Sequence, residues 1–162
     1  MQVIVGLARR FPFLIVIGIV AVGGILFREH FSGAAADLRV GDCIELPAQA
    51  GEVSEVQHRP CPDQHDAEIY HVFDIPAIAA GGPRVYPTDD QFTEILTARC
   101  EPAFDSYTGL NFDTALDFDW GAFTPGVAGW DDGDREVTCY IVRVDGAKIS
   151  GSMRAGAAQV GN

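Results

Sequence analysis

From residue 11 to residue 27 the chain reads FPFLIVIGIVAVGGILF, seventeen residues without a charge. Few structures accommodate such a run. As a helix it would span roughly 25 Å, the short end of what crosses a bilayer. Arg9 and Arg10 stand directly before it, and residues 1–27 hold no Asp or Glu. Cationic flanks stay in the cytoplasm, so the run predicts a single-pass transmembrane helix with residues 1–10 inside and the rest of the chain outside. A cleaved signal peptide is the competing reading, because Ala34-Ala35-Ala36 gives a small-residue cleavage pattern before Asp37. That pattern lies nine residues past the apolar run, farther than cleavage sites usually sit, so the retained anchor is preferred. Both readings put the following residues outside the cytoplasm.

About 125 residues remain beyond the apolar run, enough for one domain with a core of its own and too few for two. The chain carries a net charge of −12, and most of the acid follows residue 36. That sign repels phosphate, which argues against binding nucleic acid or an anionic bilayer surface. The four cysteines are Cys43, Cys61, Cys100 and Cys139. None lies in a C-x-x-C pair, so zinc ribbons and thioredoxin-like sites fit poorly. An even count beyond a membrane segment predicts two disulfides in an oxidising compartment.

Residues 28–37 read as a linker. Arg39–Leu46 and Val53–His58 alternate as strands around a turn at Pro47–Gly51, and Ala67–Phe73 is a third strand. Residues 75–87 form a loop. Thr88 and Gln91 make a capping box, and Phe92, Ile95, Leu96 and Cys100 follow at helical spacing. Pro102 ends or restarts that helix, whose apolar face continues to Gly109. Residues 110–134 read as irregular with room for one strand. Val137–Val144 is a strand, Asp145-Gly146 a tight turn, and Lys148–Met153 a returning strand. The predicted class is α+β: a transmembrane helix, then a small antiparallel-sheet domain with one main helix and two disulfides. Cys43 and Cys61 flank the first hairpin, whereas Cys100 sits on the helix and Cys139 on the late strand. The simplest of three pairings is Cys43–Cys61 with Cys100–Cys139. The chain thus divides into a cytoplasmic segment (1–10), a span (11–27), a linker (28–37), a domain (38–155) and a tail (156–162).

Several motifs follow one another along the chain: Val40-Gly41-Asp42-Cys43, Cys61 with His65-Asp66-Ala67-Glu68, Tyr86-Pro87 before the helix with Cys100, then Pro125, Trp130, Gly133-Asp134-Arg135, Cys139 and Ser150-Gly151-Ser152. Over residues 38–155 this pattern resembles the septum formation domain family, found mainly in membrane-anchored actinobacterial proteins. The resemblance implies a cell-envelope location and a link to division. It brings no catalytic residues.

His58, His65 and His71 cluster with acids nearby, yet their spacings match no ligand motif. None of the serines lies in G-x-S-x-G, and paired cysteines make poor nucleophiles. Asp131, Asp132, Asp134 and Glu136 make an acidic turn without the EF-hand order. No catalytic residue, metal ligand or cofactor is assigned. The sequence instead points to an envelope interaction module, held by its N-terminal helix and contacting another envelope or membrane protein. Trp120, Trp130, His65 and Asp66 are the residues put forward for its contact surface. The alternative is a cell-wall-acting or metal-binding enzyme or sensor built on His58, His65, Asp66 and His71.

Overall fold

The computed structural model describes residues 32–48, 53–76, 81–82 and 84–157. The apolar run at 11–27 lies outside them, and among the described residues no helix is long and apolar enough to cross a membrane. The domain is a six-stranded antiparallel sheet with one main helix on it. The strands are β1 (Ser32–Ala34), β2 (Cys43–Glu45), β3 (Glu55–Arg59), β4 (Ala67–Asp74), β5 (Phe118–Phe123) and β6 (Glu136–Arg143). Their spatial order is β1-β3-β2-β4-β6-β5. The stretch read as linker therefore contains β1, which pairs with β3.

Helix α1 (Asp89–Thr108) starts on the expected capping box, with Thr88 and Gln91 each bonding the other's backbone. It ends at Gly109, whose φ of 72° takes the left-handed cap. Pro102 neither ends nor restarts it. The proline removes one backbone donor, at a cost of about 3 kcal/mol in a helix interior. Buried Cys100 on one side and buried Phe104 on the other hold both halves to the sheet and outweigh that loss. A short helix, α2 (Val127–Asp131), precedes β6.

Apolar residues pack on both faces of the sheet. One cluster joins Tyr70, Phe73, Val137, Cys139 and Ile141 to Cys100 and Phe104 of α1. The other, on Leu38, Ile44, Val56, Ala67 and Ile69, fills the opposite face. In β4 the register slips between Ile69 and His71. Ala67 to Tyr70 are buried in succession because both faces of the sheet are covered there, and the bulge lets Tyr70 and Phe73, three residues apart, join the same cluster.

The stretch at 110–134 supplies the one strand it had room for, the edge strand β5, paired along its whole length with β6. The expectation for the chain after β6 needs correction. Lys148–Met153 does not return beside β6. It crosses to the start of β4, where Ile149 and His65 form an isolated bridge. Asp145 accepts from Ala147 N and pairs with Arg143, closing a local turn that releases the chain from the ladder.

Candidate functional site

Both disulfides follow the simplest pairing. Cys43–Cys61 has a Cα separation of 5.3 Å and Cys100–Cys139 one of 6.0 Å. The second pins α1 to β6. By loop-closure entropy over 18 and 39 residues they are worth on the order of 3 and 4 kcal/mol.

Around Cys43 the chain builds a buried polar centre. Glu68 enters it from β4 at 0% exposure. Its Oε1 accepts from the Tyr107 hydroxyl at 2.5 Å and the Ser152 hydroxyl at 2.6 Å, and its Oε2 from Met153 N at 2.6 Å. A buried carboxylate is tolerable only when paired or multiply hydrogen-bonded, and these three donors meet that demand. Burial and the bond to Glu68 push the Tyr107 hydroxyl up to about 12, so it stays a donor. Glu68 thereby ties helix, sheet and C-terminal segment together. Removing it would strand three donors, at about 1–3 kcal/mol for each one buried.

His65 is also 0% exposed. Its Nδ1 lies 2.9 Å from the Asp63 carbonyl. Its Nε2 and the Trp130 Nε1 are buried without a hydrogen-bond partner among the described residues. Asp66, half-buried beside it, accepts from Leu46 N at 3.0 Å and pairs with Lys148 at 2.9 Å. Burial alone would raise the Asp66 carboxyl, but its bonds, above all to Lys148, outweigh this and hold it below the usual range. Lys148 also pairs with Glu45.

Of the residues put forward for a contact surface, Trp130 and His65 are buried, and Trp120 and Asp66 are half-buried. Trp130 is 1% exposed and sits in the core beneath Tyr86, with the Arg135 guanidinium 3.7 Å over its ring. Arg135 also donates to the Trp130 carbonyl at 2.7 Å. Trp130 and Arg135 are thus one packed unit. Trp120 is half-buried against the α1 cluster. Burial takes Trp130 and His65 out of reach of any partner. The alternative set does not converge. His58 lies 3.9 Å from Asp42, His71 stacks on Phe73, and His65 points into the polar centre. Among the described residues, the triad of ligand-type atoms within 4.8 Å is Cys43, His65 and Glu68, and it includes neither His58 nor His71.

A groove of about 710 Å³ opens on the other side of Trp130's neighbours. Ala35 near β1, Tyr86, Phe123 at the end of β5, Val127 of α2, Asp134 and Glu136 contribute to its walls. Tyr86 is fixed there by donating to the Pro125 carbonyl at 3.0 Å. Glu136 is half-buried in this wall. Burial, then the like charges of Asp134, Asp74 and Asp37, raise its carboxyl above the ordinary value. Sequence reasoning missed both Glu136 and Glu68 as site residues. For Glu68 a signal existed: a carboxylate at the start of an apolar strand, between Ala67 and Ile69.

The family model described as "Septum formation" matches residues 40–160. The chain belongs to the septum formation family. No curated protein and no solved structure matches it. Membership supports a role related to septum formation. It also makes sense of the motifs. In this septum formation domain, His65-Asp66-Ala67-Glu68 and Ser150-Gly151-Ser152 are the two sides of one polar centre, and Tyr86, Pro125 and Asp134 line the groove.

Proposed function

We propose that this chain is a membrane-anchored, extracytoplasmic interaction module of the cell envelope, acting in septum formation by holding another envelope or membrane protein in the groove. On this reading residues 1–10 are cytoplasmic, 11–27 span the membrane, 28–37 lead out, 38–155 form the working domain and 156–162 are a tail. The arginine-flanked apolar run and the two disulfides support the location. The observation that carries the function is Glu136. A half-buried carboxyl raised by burial and by the like charges of Asp134, Asp74 and Asp37 opposes the fold of the free domain. Strain of this kind is characteristic of binding sites, and a cationic side chain in the groove would relieve it. The partner surface is therefore basic. Small residues along the wall, among them Ala35, Ala122 and Gly126, let a partner's backbone come close.

The test is a photo-crosslinking residue at Val127, which is 59% exposed on the groove wall, compared with one at Leu116, 81% exposed away from it. In intact cells Val127 should give a discrete adduct with an envelope or membrane protein, and Leu116 should not. Equal adducts from both positions, or adducts with cytoplasmic proteins, would contradict the proposal.

A further inference from the structure

We propose that the Cys43–Cys61 disulfide is the closed form of a buried metal site: once that bond is reduced, Cys43, Cys61, His65 and Glu68 bind one zinc-class divalent cation. The geometry is already assembled. A Cys43 sulfur, a His65 ring nitrogen and a Glu68 carboxylate oxygen lie within 4.8 Å of one another, all three residues buried. The disulfide holds the Cys61 sulfur against that of Cys43 and so supplies the fourth ligand. Two thiolates, an imidazole and a carboxylate are a set that zinc takes tetrahedrally, with bonds of roughly 2.0–2.3 Å. Those bond lengths put neighbouring ligand atoms roughly 3.3–3.8 Å apart, so the triad closes by at most about 1.5 Å while the sulfurs separate.

The histidine is set for this role. The Asp63 carbonyl at 2.9 Å is an acceptor, which assigns the ring proton to Nδ1 and leaves Nε2 as a lone pair. That nitrogen is buried without a partner, in a residue 0% exposed. A ring N–H donated to a backbone carbonyl is also how metal-bound histidines are usually oriented. Glu68 is oriented by Tyr107, Ser152 and Met153 N, and its Oε2, accepting a single bond, keeps a lone pair.

Reduction is selective because Cys61 is only half-buried, between Pro60 and Pro62, whereas Cys100 and Cys139 are fully buried. A dithiol delivers two electrons and two protons, becoming a disulfide as the Cys43–Cys61 bond becomes two thiols. Metal binding then releases the thiol protons to solvent.

The experiment uses the full chain in detergent. It is reduced with a dithiol that is then removed, with alkylation and mass spectrometry confirming that Cys100–Cys139 stays closed. Cobalt(II) is the probe, since its thiolate charge-transfer band reports sulfur ligation. The oxidised chain should show no such band. The reduced chain should bind one equivalent, displaceable by zinc, and His65→Gln should weaken zinc binding by at least about tenfold. Because His65→Gln could disturb the fold, X-ray absorption on the zinc-loaded native chain gives an independent count. Two sulfurs and an imidazole support the site. A reduced chain without the band, a site without imidazole, or four sulfurs would each overturn it.

Discussion

Glu68 and Glu136 show how one residue type serves opposite ends in a single domain. Glu68 is buried with three donors aimed at its two oxygens, so its charge is answered within the fold. Glu136 meets burial and three other acids, so its charge opposes the fold. The direction of that shift fixes a pH dependence. A carboxyl whose folded pKa is raised gives a contribution that is fully present below its ordinary value of 4.5 and is lost as pH rises through the folded value. Glu136→Gln should therefore raise the melting temperature at pH 7 and leave it unchanged well below pH 4.5. Equal melting of variant and native domain at pH 7 would show that the repulsion is not felt. Neither role is visible in sequence alone, because a carboxylate's neighbours in space are set by strand pairing. Trp130 illustrates the same limit. Put forward for the contact surface, it is covered by Arg135, five residues on, and the core closes beneath it.

Among the elements, β5 and β6 depend on one glycine. Gly121 stands opposite Tyr140, and a Cβ there would lie 2.4 Å from the tyrosine ring. The ring lies over the glycine and against Phe123, at 4.8 Å between centroids, which fixes the end of β5 that walls the groove. Gly121→Ala should destabilise the domain by about 1–3 kcal/mol through overpacking. Urea denaturation measures it, and an unchanged midpoint with unchanged slope would refute this role. Elements with local signals were legible in the sequence: the Thr88–Gln91 capping box started α1, and the apolar alternation at Val137–Val144 marked β6. The elements that were not legible depend on distant partners. β5 has little periodicity of its own, with Asp119 and Gly121 among aromatics, and exists because β6 offers it a ladder. Ile149 was read as part of a hairpin because Asp145-Gly146 fits a turn, but its bridge is to His65, far back in the chain. Pro102 failed as a stop signal because packing on both sides of it outweighs one lost hydrogen bond.

At the scale of the whole molecule, the four cysteines carried the most information, since their positions on hairpin, helix and late strand allowed one economical pairing. The septum formation motifs were legible as an ordered set before their purpose was. Their convergence on the polar centre and the groove wall required the fold, because the groove draws on residues as far apart as Ala35, Tyr86 and Glu136. The central claim is that this groove holds a basic partner surface, and Glu136→Lys tests it most directly. Reversing the charge places a cation among Asp134, Asp74 and Asp37, so the fold is kept or strengthened while a basic partner is repelled. The decisive measurement is complementation of septation in a deletion strain by the full-length Glu136→Lys chain, with melting and membrane localisation checked in parallel. The account predicts a protein that melts at or above the native temperature, localises normally and fails to restore septation. Full restoration by that variant would contradict it.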